Sequence, residues 1–374
     1  MQDEQVIPFL KDFRRGRGAT VNPDGRFEAE AREFIDDGWY VPDLEERRVK
    51  TSVTIEHPKS IISHNKSPDL PFDNSVNAYR GCEHGCVYCY ARPTHSYLNL
   101  SPGLDFESRL FAKPNAAELL EKEISKSSYI CKPIALGTNT DPYQPIERQY
   151  KITREIIEVL AAAKHPFTIT TKSDLVLRDL DLLAPLACDN LVCVGMSVTS
   201  LDGKIARVME PRASAPHKRL RAIEELSKAG VRTLVQASPL IPALNDAELE
   251  QIMSAAKDRG ANSAIYLLLR LPHEVAALFK DWLQEHFPDR AARVMKLVRE
   301  TRGGKDYDAT FGRRMTGEGH YAALINRRFR LACKRLGFTA SKYDLNSSLF
   351  QKPVSRYAPQ MDLFASPPRA NQGK

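Results

Sequence analysis

Phe167-Thr168-Ile169-Thr170-Thr171, a helical stretch over Asp174–Ala187, and then Leu191-Val192-Cys193-Val194-Gly195-Met196-Ser197-Val198 form the segment whose reading decides the fold. Two short, β-branched apolar runs separated by a helix-length stretch make a βαβ unit. Parallel strands need such a crossover, and they are buried on both faces. The alternation extends in both directions. Upstream, Val76–Arg80 and Pro133–Gly137, with its continuation to Thr140, are strand candidates, and Gln149–Ala163 has helical periodicity. Downstream, His217–Ala229 is a helix ended by Gly230 and Arg232–Ala237 a strand. Asp246–Arg259 is a helix ended by Gly260, and Ala264–Leu271 is the sixth strand. Six such units predict an α/β fold, a partial (β/α)6 barrel resembling a TIM barrel, with chemistry at the C-terminal ends of the strands.

Around residues 71–272, read as this barrel, three further regions are distinguished. Residues 1–70 read as an irregular extension. It has a short basic arm at Lys11, Arg14, Arg15 and Arg17, one short helix over Ala29–Asp36, and a Pro-rich connector over His57–Phe72. Residues 273–356 read as helical and basic. Residues 357–374, with Pro359, Pro367 and Pro368, read as a disordered tail.

The 374 residues carry a net charge of +7. From Arg290 to Arg335 there are 13 Lys/Arg against 4 Asp/Glu, a local +9, so the remainder sums to −2. A concentrated basic region suits a polyanion such as DNA, and Arg313-Arg314 and Arg327-Arg328-Phe329-Arg330 alternate with Phe311 and Tyr321 in a manner suited to phosphates and bases. The competing reading is a solvated helical face. With 42% hydrophobic and 27% charged residues, wholesale disorder is excluded. The longest apolar run, Ala264–Leu269, is too short to span a bilayer, and the first residues show no secretory pattern. A cytoplasmic location without a membrane partner is expected.

Seven cysteines in a reducing compartment are not a disulfide framework. Three lie together in Tyr79-Arg80-Gly81-Cys82-Glu83-His84-Gly85-Cys86-Val87-Tyr88-Cys89-Tyr90. Cys82, Cys86 and Cys89, spaced Cys-x3-Cys-x2-Cys on a Gly-containing loop, suit three irons of a cubane and leave the fourth iron open for a substrate or cofactor. The rival is zinc, with His84 or His95 as fourth ligand. No second cysteine pair exists to complete an ordinary structural zinc site.

This Cys-x3-Cys-x-aromatic-Cys motif resembles that of the radical S-adenosylmethionine (SAM) enzymes. The surrounding Ser67-Pro68-Asp69 to Phe111, including Ala91-Arg92-Pro93-Thr94-His95, resembles a bacterial branch related to spore photoproduct lyase. The resemblance implies a barrel of the radical SAM type, a [4Fe–4S] cluster on Cys82, Cys86 and Cys89, SAM as cofactor, and a one-electron reductant as partner. It implies reductive cleavage of SAM to a 5′-deoxyadenosyl radical. Strand ends matching those that contact SAM in the lyases contain Thr140, Asp141, Lys172, Ser173 and Ser197. Tyr88 matches the tyrosine bordering SAM, and Tyr90 the one that takes part in hydrogen-atom return. Each strand-end hydroxyl or carboxylate is also of a type that caps loops. Asn139 stands where the lyases carry the cysteine that donates a hydrogen atom. Cys193 is a substitute donor candidate or else a buried apolar residue.

Gln360-Met361-Asp362-Leu363-Phe364 resembles the short motif by which bacterial DNA polymerases and repair proteins bind the sliding clamp. An apolar pair on a Pro-flanked tail suits docking in a pocket. Together these features lead to a radical SAM enzyme acting on DNA, with lesion repair as the expected role. The alternatives are a radical SAM enzyme that modifies RNA or protein, and a non-catalytic zinc-binding nucleic-acid module.

Overall fold

Six of the apolar runs become six parallel strands that lie side by side in chain order. In the computed structural model, which describes residues 17–19, 21–27, 49–339 and 344–353, ten strands are numbered along the chain. They are β1 (Ser52–Ile55), β2 (Ile62–His64), β3 (Asn74–Val76), β4 (Tyr79–Arg80), β5 (Arg109–Ala112), β6 (Ile134–Leu136), β7 (Phe167–Thr171), β8 (Val192–Ser197), β9 (Arg232–Leu240) and β10 (Ser263–Leu268). The large sheet runs β10-β9-β8-β7-β6-β3-β2. The pairs from β3 to β10 are all parallel, and β2 adds an antiparallel edge. The described strands do not close on themselves, so the architecture is an open, partial barrel.

Helices of nine or more described residues are α1 (Ala116–Ile124), α2 (Ile152–Ala162), α3 (Leu180–Cys188), α4 (Pro216–Lys228), α5 (Leu249–Lys257), α6 (Val275–His286), α7 (Pro288–Glu300) and α8 (Gly319–Leu336). The first five are crossovers. Each buries an apolar stripe: Ile152, Ile156, Ile157 and Leu160 on α2 recur at helical spacing and pack into the core with Ile169, Val194 and Val235 of the sheet. β8 is buried at all six positions, as a central parallel strand must be. The expected strand and helix order is therefore present. No helix of the described residues is long and apolar enough to cross a membrane.

Three features differ from the expectations. First, Val76–Arg80 is not one strand. β3 ends at Val76, and β4 belongs to a separate sheet of order β1-β5-β4. The chain leaves the large sheet at Asn77, whose side-chain oxygen accepts from Asn139 N at 3.0 Å and whose Nδ2 donates to Thr138 Oγ1 at 3.2 Å. Second, the stretch read as irregular supplies β1 and β2. Strands of four and three residues are too short to show a local periodicity, and the partner of β1, β5, lies far ahead in sequence. Third, three of the five named arginines of the basic helical region are paired with acids, while Arg327 and Arg330 form no ion pair with a described residue. Arg314 makes a bidentate pair with Asp69 at 2.6 and 2.8 Å. Arg328 does the same with Glu250 at 2.6 and 2.8 Å, and Arg313 meets Glu318 at 2.7 Å. Tyr321 donates to Asp246 at 2.6 Å, and Phe329 packs on Tyr266. The near-neutral remainder of the chain supplies acids that a local count does not see. Residues 29–36 and all of the basic arm except Arg17 lie outside the described residues.

A second core fixes the site. Phe279, Trp282 and Leu283 of α6 and Val294 and Val298 of α7 pack against Cys86, Val87 and Tyr88. The helical region thus carries the cysteine loop on its apolar face.

Gly137 ends β6 with φ +89°, and a Cβ there would lie 2.2 Å from Thr170 O. Gly137→Ala is expected to lower stability by about 2 kcal/mol or more through strain and overlap, read as a lower urea midpoint.

Candidate active site

The cysteine loop leaves β4 through Gly81 at φ +74°. A Cβ there would meet Leu110 Cδ2 at 2.6 Å and Phe106 O at 2.8 Å, so only glycine allows this close turn. Cys82 N then donates to Phe106 O at 2.9 Å. Cys82 and Cys86 are buried, and Cys89 is half-buried between them and Ala91. Beneath the loop lies Arg92, fully buried. Its five N–H groups reach Cys86 O (2.9 Å), Gly85 O (3.3 Å), Pro102 O (3.1 Å), Gly103 O (2.8 Å) and the Glu107 carboxylate. Glu107 also accepts from Gly18 N and Ala19 N at 2.9 and 2.8 Å. Arg17, read as part of a basic arm, is instead engaged internally with Glu107 O, Val49 O and Thr51.

Burial pushes the Cys86 thiol up to about 12, with Glu210 adding to the rise and Lys172 opposing it. Burial likewise raises Cys82, helped by Asp141. Cys82 and Cys86 would have to lose their protons to ligate iron. No three His, Cys, Asp or Glu side chains among the described residues converge on a single ion position. His84 Nδ1 faces Asp141 Oδ2 at 3.3 Å, and His95 Nε2 is bonded to Arg109 O. Three cysteines on separate turns of one loop fit a polynuclear cluster, which takes one thiolate per iron.

The strand ends surround this loop. Asp141 accepts from Thr171 Oγ1 (2.7 Å), Lys172 N (2.7 Å) and Tyr143 N (2.9 Å). Burial opposes its charge, yet His84 and these donors hold it down at about 2. Ser173 Oγ caps the following turn by accepting from Leu175 N. Ser197 Oγ donates to Ser238 O at 3.0 Å, and Thr140 Oγ1 to Tyr79 O at 3.4 Å. These four residues hold the β6, β7 and β8 ends in place. Lys172 differs. Its Nζ lies 6.0 Å from the Tyr88 ring centre and makes no hydrogen bond or ion pair with a described residue. Burial works against its charge, but Cys86 and Glu210 keep it raised.

Glu210 is the centre that sequence reasoning missed. Tyr88 OH donates to it, Arg219 pairs with it, and Thr199 Oγ1 bonds it at 2.6 Å. Arg219 also reaches Ser214 O and Ser197 O at 2.6 and 3.1 Å. Despite burial, Arg219 and Lys172 hold Glu210 below the ordinary carboxylate range. Its only sequence signal is Met209-Glu210-Pro211-Arg212 after the strand-four end, which no spacing rule singles out.

Tyr90 is 45% exposed, donates to Thr138 O, and carries the Arg270 guanidinium over its ring at 4.8 Å. Arg270, beyond β10, was also missed; its Nε is buried without a partner among the described residues. Asn139 sits beside Asn77 through its backbone. Cys193 is no donor to this site. It lies at the N-terminal end of β8, opposite Ser197, and packs with Leu234 and Leu345. Gln360, Met361, Asp362, Leu363 and Phe364 lie outside the described residues.

The sequence profile of the radical SAM superfamily matches residues 76–256. An uncharacterized protein of Mycobacterium tuberculosis is 36% identical over 278 residues, 71% of this chain and 82% of that protein. One from Methanocaldococcus jannaschii is 30% identical over 231 residues, 62% and 82% of the two chains. Among solved structures, spore photoproduct lyase complexed with dinucleoside spore photoproduct superposes with a TM-score of 0.55 at 14% identity, covering 82% of this chain and 85% of that one. The likeness is one of fold.

Arg92→Met leaves the Glu107 carboxylate buried without its guanidinium. A loss of about 3–5 kcal/mol in urea unfolding is expected. Asp141 has a lowered folded pKa, so its stabilisation is present above 3.8 and disappears as pH falls toward about 2. Stability of Asp141→Asn should accordingly vary less across that window than stability of the parent protein.

Proposed function

The chain belongs to the radical SAM superfamily, and from that premise we propose that it is a SAM-cleaving enzyme acting on DNA in lesion repair. The observation that carries the catalytic part is the Cys82–Cys86–Cys89 loop, built on Arg92 and facing an ammonium, Lys172, that no acid among the described residues pairs by a hydrogen bond or salt bridge. When bound, a [4Fe–4S] cluster and SAM supply one-electron cleavage of SAM to a 5′-deoxyadenosyl radical.

The chain's own residues do the positioning. Cys82, Cys86 and Cys89 would hold the cluster through their thiolates. Lys172 takes the carboxylate of SAM through a charge-assisted bond, which is stronger in this buried setting than in water. Tyr88 borders SAM with its hydroxyl locked on Glu210, so that it presents its ring and not a mobile proton. Thr140, Asp141, Ser173 and Ser197 keep the strand ends in register around the cofactor. The α6–α7 core under Tyr88 excludes water from that side. Tyr90, exposed beside Cys89, is the group poised to pass a hydrogen atom to or from a substrate at the barrel mouth. With Asn139 in place of a thiol donor, that task falls to Tyr90.

The DNA part rests on two supports. The tail segment Gln360–Phe364 has the apolar pair and leading Gln of a sliding-clamp ligand. The fold is shared with a lyase whose structure holds a dinucleoside photoproduct. A base in duplex DNA must leave the stack to reach a site at the barrel mouth.

Each of Cys82→Ala, Cys86→Ala and Cys89→Ala is expected to lose iron after anaerobic reconstitution, measured by iron and sulfide analysis. Lys172→Met should raise the SAM concentration needed for half-maximal 5′-deoxyadenosine formation about 10- to 100-fold, the range for one charge-assisted bond. UV-irradiated DNA should increase 5′-deoxyadenosine formation by the parent protein, and a rate indifferent to DNA would move the substrate to RNA or protein. Deleting Gln360–Phe364 should abolish association with the bacterial sliding clamp while SAM cleavage continues; clamp binding by the truncated chain would refute that partner.

A further inference from the structure

A cavity of about 210 Å³ lies on the flank of the cysteine loop, lined among others by His84, Arg148, Asp174, Arg212, Ser214 and Lys218. Lys172 is not part of its lining, but Ser173 is, so the cavity borders the cofactor position argued above. Three cations meet one acid in this wall, and the acid is engaged. Asp174 accepts Ser214 Oγ at 2.5 Å. Arg212 touches Glu83 at 3.1 Å, and Glu83 is also bonded to the Thr51 hydroxyl. Arg148 and Lys218 form no ion pair with a described residue.

The wall also contains the start of a long helix. α4 begins at Pro216 after Ala215, which lines the cavity and gives no side-chain cap. Pro216 has no N–H, and Lys218 N and Arg219 N donate to Ala215 O at 3.0 and 3.2 Å, so none of these three residues offers the cavity an open backbone donor. Two guanidinium forks and an ammonium around one cavity favour a tetrahedral, multiply charged oxyanion over a singly charged carboxylate.

We propose that this cavity is a phosphate-binding site, taking either a phosphodiester of a bound nucleic-acid strand or the phosphate of a small phosphorylated compound. The site is built on the cysteine loop itself, because Arg212 N donates to His84 O at 3.3 Å. A strand held there by one phosphate would be anchored beside the barrel mouth. The phosphate chemistry stands apart from the DNA reading above, and the experiment separates the two.

Cluster-loaded protein is titrated with pyrophosphate and, separately, with a single-stranded DNA oligonucleotide over a series of salt concentrations. The double variant Arg148→Gln/Lys218→Gln removes the two unpaired, exposed cations, and Arg148→Lys/Lys218→Arg keeps their charge. Lys59→Gln/Lys66→Gln is the charge-matched control elsewhere on the surface. The expected result is at least a tenfold loss of pyrophosphate affinity in the first variant, with most of it retained in the other two. A concurrent fall of about one in the slope of log affinity against log salt for the oligonucleotide assigns the phosphate to a strand. Loss of pyrophosphate binding with an unchanged oligonucleotide slope assigns it to a small phosphorylated compound and argues against strand binding at this face. Unchanged binding of both probes by a folded first variant, or equal loss in the Lys59/Lys66 control, overturns the proposal.

Discussion

The buried Arg92–Glu107 pair is the interaction on which the rest of the site depends. A buried ion pair is a weak source of net stability, since desolvation offsets attraction. Its value here is geometric. A guanidinium with five donors in a fixed fork, each matched to an acceptor, allows one conformation of the carbonyls at 85, 86, 102 and 103. Glu107 extends the same constraint to Gly18 and Ala19, so a segment remote in sequence closes over the cysteine loop. Gly18 is needed because a Cβ would collide with Gly85 O.

A second constraint organises the strand ends. In an open barrel the polar groups at the C-terminal rim must be satisfied without a neighbouring strand to close the circle. Asp141, Ser173, Ser197 and Thr140 do this by bonding backbone and hydroxyl groups of adjacent ends. Glu210 and Arg219 do it more deeply, tying Tyr88, Thr199 and Ser197 together. Among the described residues, Lys172 inside and Arg148 with Lys218 on the flank form no ion pair, and at the mouth Arg270 keeps its Nε without a partner over the Tyr90 ring. Reactivity is concentrated where internal satisfaction stops.

The basic helical region shows how a charge count can mislead. A local excess of +9 is a property of the sequence, but potential at a surface depends on where the counter-charges lie. Asp69, Asp246 and Glu250 come from other elements and pair Arg314 and Arg328, while Arg327 and Arg330 keep no ion pair among the described residues. The region's main contribution is apolar, the Phe279–Trp282 face that supports Cys86–Tyr88.

The sequence by itself determined the parallel βα order, the three cysteines and the elements that carry the candidate site, because apolar periodicity and ligand spacing are local. It also located the ends of β6, β7 and β8, since Gly137 and the polar residues after those apolar runs interrupt the strand pattern, whereas β9 runs on through Ser238-Pro239 to Leu240. Only the tertiary structure decided which of those polar residues are engaged and which are free. It split Val76–Arg80 between two sheets, placed Cys193 at the wrong end of its strand for chemistry, and brought Glu210, Arg270 and Arg92 into the site. The physical reason is common to all of these. A polar group's role is set by the partner that satisfies it, and in this fold the partner commonly lies tens of residues away.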